Sequence, residues 1–290
     1  MSPSSIRSAS IGIFLLSLTS ATALWAEVDV VEIIRRTVAA DQRNWKVASQ
    51  YGFSERVGVR RLDSHGEVKS TDVKRYDVTL VEGSPYRRLV ERDDRPLEPD
   101  DERKERAKLT KGIATRQKET AAQRALRQGK YQNRPDWLRE MWQELPDAFD
   151  FRLAADESRD GAEFYVIDAT PRKEYRPHSR TAKILAQLQG RLWIDKRDYR
   201  LAKAEVEVAE TIAVGLILVR LAKGSRATFE QVRLNEKVWL PRRVYVAASA
   251  RLGLVRMLHI EHEAVFSECR TVTGTLVSKG PRGGLSIALE

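Results

Sequence analysis

Apolar and charged residues alternate along many short segments of this chain, and this pattern restricts the fold more than any other feature. In GRLWIDKRDYRLAKAEVEVAE, residues 190–210, Leu192 and Ile194 alternate with charged neighbours. Residues two apart in a strand lie on one face of a sheet, so the segment predicts strands with one apolar and one solvated face. Similar segments separated by turn signals follow one another from Phe149 to Ser267 and predict an antiparallel meander.

Two helices are predicted beside the strands. Apolar residues recur with helical spacing from Val28 to Trp45, and Asp29 can cap the start. The second helix is predicted between Pro135 and Pro146 and carries one continuous apolar face with two tryptophans. Such a face must pack on another element, and we expect it to lie across the concave side of the sheet.

The stretch from Pro99 to Lys130 is dense in charge and poor in apolar residues. Its acidic start and basic remainder complement a helix dipole. Two interpretations stay open: a solvated helix or mobile arm whose charges keep it in water, or a basic arm that engages an anionic membrane or a partner. Residues 27–270 are expected to form one domain that contains this insertion, and residues 271–290 are glycine-rich and predict a flexible tail.

The first 26 residues are typical of a signal peptide. Arg7 is followed by an uncharged stretch to Ala26 with an apolar centre, and Ala23 and Ala26 offer small residues for cleavage. A retained membrane anchor is the alternative, but a spanning helix needs about 20 strongly apolar residues, and serine and threonine interrupt this stretch. We therefore expect export to the periplasm.

The formal net charge of +10 indicates an anionic partner. An exported protein meets lipid more readily than nucleic acid, so lipid headgroups are favoured and nucleic acid is not expected. The single cysteine, Cys269, cannot form an internal disulfide, so the fold depends on its hydrophobic core.

No motif for catalysis, metal binding or a cofactor stands out. His259 and His262 occur in LHIEHE, but on a strand they point to opposite faces, and the helical zinc spacing is absent. The sequence contains no nucleophile elbow, P-loop or Rossmann glycine fingerprint. We therefore predict a protein that is not an enzyme, with no catalytic residue, no metal and no cofactor.

One connection concentrates basic residues around an aromatic ring. TPRKEYRPHSRTAK, residues 170–183, contains two prolines, which predict irregular structure. The stretch is either an ordinary charged connection between strands or a group that grips phosphate headgroups. The candidate headgroup or membrane contacts are Arg172, Lys173, Arg176, Arg180 and Lys183.

Five segments carry a family resemblance: FDFRLAADE, YVIDATPRKEYRP, LQGRLWIDKRDYRLAKAEVE, RLAKGSRATFEQVRLNEKVWLPRRV and ARLGLVRMLHIEHEAVFSE. Together they resemble an uncharacterised family of exported bacterial proteins. That family is similar to the outer-membrane lipoprotein-sorting proteins, the LolA/LolB-like superfamily. The resemblance spans roughly residues 28–268, and the charged insertion from Pro99 to Lys130 departs from the carrier pattern.

The resemblance implies a mainly β, α+β fold: an incomplete antiparallel β-barrel wrapped around α-helices, as in the lipoprotein carriers. Its concave apolar cavity would hold acyl chains, because each buried CH₂ group contributes about 0.8 kcal/mol. The candidate cavity residues are Leu192, Ile194, Val206, Val208, Val232, Val244, Val246 and Ile260, with Trp142 on a lid helix.

Three functional hypotheses follow. The first is a non-enzymatic periplasmic carrier or binder of lipid or lipidated protein, with an anionic membrane surface as a further candidate partner. The second is a structural or interaction protein of the envelope whose barrel is filled by its own side chains and whose basic arm binds a partner. An enzyme acting on envelope lipids is the weakest, because the sequence shows no nucleophile with a base.

Overall fold

The computed structural model describes residues 29–133, 135–214, 219–252 and 256–272. The predicted signal peptide and residues 273–290 of the predicted tail lie outside the described residues. The helices are α1 (Val30–Ala48), α2 (Pro99–Gln117), α3 (Ala121–Gln132), α4 (Asp136–Ala148) and α5 (Arg180–Leu185). The strands are β1 (Tyr51–Leu62), β2 (Val68–Val81), β3 (Ser84–Arg92), β4 (Arg95–Pro96), β5 (Phe149–Arg159), β6 (Ala162–Pro171), β7 (Leu188–Asp195), β8 (Leu201–Val208), β9 (Ile212–Val214), β10 (Val219–Leu221), β11 (Arg226–Arg233), β12 (Trp239–Leu252) and β13 (Arg256–Thr271).

All 13 strands of the described ranges belong to one antiparallel sheet. The order is β4-β3-β2-β1-β13-β12-β11-β8-β7-β6-β5, and the β9–β10 hairpin attaches to β12. The terminal strands β4 and β5 are not paired with each other, so the sheet stays open. This confirms the predicted incomplete antiparallel barrel with helices.

The register of the strands separates an inner face from an outer face. Leu192 pairs with Ala204, Ala204 with Phe229, and Phe229 with Val244, so these residues form one row on the inner face, towards α1. The outer face carries cross-strand ion pairs, for example between Arg191 Nε and Asp168 Oδ1 at 2.7 Å. The predicted apolar and charged faces are therefore both present.

Two helices cover only part of the inner face. α1 and α4 pack on the inner side of β5, β6, β7, β8 and β11, where Ile34, Ile167 and Ile194 are completely buried. We call this the covered half. The inner face of β13, β1, β2 and β3, and of β12 after its first three residues, is the open half, and Val57 and Ile260 there are only half-buried.

The charged insertion forms α2 and α3, which pack against β3. Leu109 and Ile113 of α2 are buried against Val81 and Tyr86. Arg116 of α2 donates hydrogen bonds of 2.8–3.0 Å to three backbone carbonyls of the β2–β3 hairpin. The insertion is therefore a pair of docked helices rather than an arm that extends from the sheet.

Two local predictions are wrong. Pro146 lies inside α4, which continues to Ala148, because a proline removes one helical hydrogen bond but does not end a helix whose apolar face is packed. The 170–183 connection was predicted to be irregular, yet α5 begins at Arg180, where the side chain of Ser179 accepts a hydrogen bond from the Ala182 N–H at 3.0 Å. A proline restricts mainly the residue before it, so Pro177 leaves the chain free to form a helix after it.

β9 ends at Val214 and β10 runs from Val219 to Leu221, and the two short strands pair antiparallel. Among the helices of the described ranges, none combines the length and the apolar character needed to cross a membrane.

Candidate ligand-binding cavity

A cavity of about 440 Å³ lies between α1, α4 and the inner face of the covered half. Its floor is formed by strands β6, β7, β8, β11 and β12, and its walls by the two helices. Most of the side chains that line it are apolar. They include Leu138, Met141, Leu192, Ala204, Val206 and Phe229.

α1 supplies one wall and is fixed at both ends. The carboxylate of Asp29 caps its first turn by accepting a hydrogen bond from the Glu32 N–H at 3.1 Å. Near its other end, the buried Asn44 side chain donates to the Trp239 carbonyl at 2.7 Å and accepts from the Trp239 N–H at 3.0 Å. This double hydrogen bond joins α1 to the start of β12, and both residues line the cavity.

α4 forms the other wall with the apolar face that the sequence predicted. Leu138, Met141, Trp142 and Leu145 of α4 line the cavity. The side chain of Trp142 is almost completely buried in the same cluster as Ile34. The predicted position of this helix, across the concave side of the sheet, is therefore the one observed.

The connection before α5 is fastened to the far side of α4. The Tyr175 hydroxyl donates to Glu144 Oε2 at 2.7 Å, and His178 Nε2 lies 3.3 Å from Glu144 Oε1. Burial, together with this bond to Glu144, raises the pKa of Tyr175 well above its usual range. Hydrogen bonds from the side chains of Ser179 and Thr181 lower the pKa of Glu140. α4 is thus held between the sheet on one side and this connection on the other.

The electrostatics of the cavity favour an uncharged ligand segment. Asp41 is the one charged residue among the described lining residues, and another group of the protein engages it. The hydroxyl of Thr37 is satisfied by the Ile33 carbonyl at 2.9 Å. An apolar space that offers few unsatisfied polar groups is suited to an alkyl chain rather than to a polar metabolite.

The structure places three of the predicted cavity residues in the lining: Leu192, Val206 and Trp142. Ile194 is completely buried in the adjoining core, and Val208 is buried beyond the lining residues. Alternation predicted that these strand residues lie on one face of the sheet, but it did not predict how deeply each side chain is buried. The role of these residues in holding a ligand stays a prediction.

Four other predicted cavity residues lie elsewhere. Val244, Val246 and Ile260 are on the inner face but in the open half, where they are half-buried. Val232 was expected to point inward and is 42% exposed. Phe229 and Gln231 of β11 line the cavity instead, and the two-residue period then turns Val232 to the other face.

The five predicted basic contacts differ in whether they are paired within the fold. Arg172 is used within the fold: its Nε lies 3.0 Å from Asp150 Oδ1, and its Nη2 donates to the Phe149 carbonyl at 3.0 Å. The other four are exposed and form no ion pair within the described ranges. Those four, which we call the basic cluster, are Lys173, Arg176, Arg180 and Lys183.

The remaining candidates for chemistry are separated from the cavity and from one another. His259 Nδ1 lies 2.7 Å from Ser249 Oγ on the outer face, whereas His262 lies in a row with Val246 on the inner face. Burial raises the pKa of the Cys269 thiol, which disfavours the reactive thiolate.

Sequence reasoning missed the part of α1 in the cavity, where Asp41, Asn44 and Trp45 contribute to the lining. A signal was present in the helical spacing. Ile34, Thr37, Asp41 and Asn44 recur every three or four residues, so polar residues lie on the apolar stripe of the helix. Polar groups in such a stripe indicate a specific contact rather than simple core packing.

No protein-family model matches the chain. No curated protein matches it either. Among solved structures it is similar to a domain described as an outer membrane lipoprotein-sorting protein domain from Vibrio parahaemolyticus, with 14% identity, a TM-score of 0.36, and coverage of 82% of this chain and 92% of that chain. It is also similar to a LolA superfamily protein from Nitrosomonas europaea, with 15% identity, a TM-score of 0.28, and coverage of 82% and 91%.

A further similar structure is the Pseudomonas aeruginosa MucA/MucB complex, with 12% identity, a TM-score of 0.24, and coverage of 83% of this chain and 98% of that chain. At these identities and TM-scores the likeness supports no statement about what this protein does. The structures that the chain resembles include LolA-superfamily and lipoprotein-sorting proteins, which is the resemblance that the sequence predicted.

Proposed function

We propose that this protein is a non-enzymatic periplasmic binder or carrier of an acyl chain, which it holds in the cavity between α1, α4 and the sheet. This acyl chain belongs either to a lipid or to a lipidated protein. The observation that carries the proposal is the apolar cavity of about 440 Å³, a volume within the range of about 300–1,000 Å³ that is usual for ligand pockets.

The shape of the site supports an alkyl ligand. The lining continues from Leu138 and Met141 on α4 to Phe229 on β11, so apolar side chains surround the space from both the helices and the sheet. Each CH₂ group that leaves water for such a space contributes about 0.8 kcal/mol. Burial of several methylenes offsets the translational and rotational freedom that the ligand loses on binding, so the protein needs no covalent bond to hold it.

The basic cluster is a candidate contact for the polar end of the ligand. Leu185 of α5 lines the cavity, while Arg180 and Lys183 of the same short helix are exposed. A helix rises about 1.5 Å per residue, so these cations lie within one and a half turns of a lining residue. An anionic phosphate or carboxylate near this rim would therefore meet positive charge.

The direct test is to express the protein with export to a bacterial periplasm, purify it without detergent, and analyse an organic extract and the intact complex by mass spectrometry. Stoichiometric lipid would support a lipid binder. A co-purified acylated peptide or protein would support a carrier of lipidated protein. A clean extract from folded protein would contradict the proposal and favour an envelope protein whose barrel is filled by its own side chains.

A pair of matched substitutions tests the place of binding. Val206 lines the cavity, and Val246 lies in the same inner-face row two strands away, outside the described lining. We expect Val206→Trp to lower the affinity for a fluorescent fatty acid at least tenfold, because the indole occupies the cavity, and Val246→Trp to leave it almost unchanged. Both variants must keep the native far-ultraviolet CD spectrum. Equal affinities for the two variants would place the ligand elsewhere.

A further inference from the structure

Two arginines face each other at one end of the sheet, where β10 joins β12. Arg220 of β10 pairs directly with Arg251 of β12, Arg251 pairs with Met257 of β13, and Arg220 pairs with Ala213 of β9. The four side chains are exposed and form one row across four strands. We call this set, Ala213, Arg220, Arg251 and Met257, the arginine row.

The arginine row lacks the carboxylate partners that many other arginines of the outer face have. Examples of such pairs are Arg226–Glu207 and Arg243–Glu263. Arg220 and Arg251 have no ion-pair partner within the described ranges. Like charges directly opposite each other on adjacent strands destabilise a sheet. The row therefore carries a cost within the isolated fold, which an anionic partner would remove.

Apolar side chains are exposed at the same end of the sheet. Met257, which pairs with Arg251, is 49% exposed, and Val68, at the start of β2, is 52% exposed. Exposed cations beside apolar residues match the two layers of a membrane surface, anionic headgroups above acyl chains.

Acidic side chains are present at this end, but among the described residues none forms an ion pair with Arg220 or Arg251. Asp63 and Glu67 lie in the β1–β2 turn, where the Asp63 carboxylate accepts hydrogen bonds from the N–H groups of His65 and Glu67. Asp63 is thus engaged by its own turn.

We propose that the arginine row docks the protein onto an anionic bilayer surface, with Arg220 and Arg251 against lipid phosphates and Met257 against the acyl boundary. The docking surface is distinct from the cavity, because none of its four residues lines the cavity. A variant can therefore lose membrane docking and keep ligand binding in the cavity, or lose ligand binding and keep membrane docking.

The test is sedimentation of the protein, purified from a bacterial periplasm, with vesicles of phosphatidylcholine and phosphatidylglycerol in equal parts. Each basic residue near an anionic surface contributes about fivefold to binding, so the double variant Arg220→Gln, Arg251→Gln should bind about 30-fold more weakly. The matched control is Arg35→Gln, Arg43→Gln, which removes the same charge from exposed positions of α1 that do not line the cavity. It should lose less than threefold.

The other readouts separate docking from simple charge attraction. Met257→Ser should weaken vesicle binding several-fold without a change of charge. The double arginine variant should also be at least as heat-stable as the original protein, since a like-charge pair has been removed. Equal losses in the two double variants, or unchanged binding of the arginine variant, would overturn the proposal. Fatty-acid binding of the arginine variant should remain unchanged, which keeps the result independent of the cavity.

Discussion

The covered half and the open half of the sheet are built from the same alternating pattern, yet they differ in depth. Ile194 in the covered half is completely buried under α1, whereas Ile260 in the open half is half-buried. The difference shows that alternation specifies which face is apolar, and that the helices decide which part of this face becomes core or cavity. A strand pattern therefore identifies a dry face without identifying a binding site.

The largest expected difference between the halves concerns core truncation. Ile194→Ala should lower the free energy of unfolding by about 2–5 kcal/mol, because it leaves a cavity in a packed core. Ile260→Ala, on the same face of the open half, should cost less than half as much. Urea unfolding followed by circular dichroism measures both. Equal losses would mean that the open half is covered in solution, so that Ile194 and Ile260 would be equally buried.

The close approach of β7 and β8 gives a second contrast, between two strand glycines. A Cβ atom at Gly190 would clash with the Glu205 carbonyl oxygen, whereas a Cβ atom at Gly58 of β1 would meet only the end of the Arg56 side chain, at 4.0 Å. Gly190→Ala should destabilise the protein by about 1–3 kcal/mol through strain. Gly58→Ala should be neutral or stabilise it by about 0.5–1 kcal/mol, since glycine disfavours strands. Melting temperatures that fall equally would contradict this expectation.

The smallest expected effect concerns acid sensitivity of the outer face. A hydrogen bond from Arg191, with a second contribution from Arg152, lowers the pKa of Asp168 on the outer face of β6. A lowered folded-state pKa stabilises the protein above the unfolded pKa of about 3.9, and this contribution is lost as the pH falls through the folded value. Asp168→Asn should therefore cost about 1 kcal/mol or less at neutral pH, and the difference from the original protein should vanish in acid.

Asp94, in the turn between β3 and β4, provides the comparison. Arg56 lowers its pKa in the same way, but its side chain is 49% exposed against 18% for Asp168. Asp94→Asn should consequently change the pH dependence less than Asp168→Asn does. The free energy of unfolding of both variants, measured between neutral pH and pH about 3, shows which substitution changes the pH dependence more. A larger effect at Asp94 would show that exposure does not control these pairs.

Much of the architecture was predictable because it depends on local periodicity. The apolar stripe of α1, its cap at Asp29 and the apolar face of α4 all appear where the sequence placed them. The errors lie where a local signal was treated as absolute. Pro146 did not end a helix, and Val232 was counted as inward although Phe229, three residues earlier, already occupied that face.

The candidate cavity was harder to predict because its walls come from distant parts of the chain. Leu192, Val206 and Trp142 were expected in it, but Asp41 and Asn44 of α1 were not. Their place depends on where α1 lies against β12, which the hydrogen bonds between Asn44 and Trp239 fix across 195 residues of sequence. No pattern within one segment carries that information.

By itself the sequence determined most of the strands, the helices α1 and α4, and which face of most strands is apolar, because side-chain direction follows from a period of two or 3.6 residues. The tertiary structure alone decided the rest: that α1 and α4 cover one half of the inner face and leave the other open, that the charged insertion docks on β3, and that Arg220 meets Arg251. These outcomes depend on strand order and register, which are set by the sum of many long-range contacts.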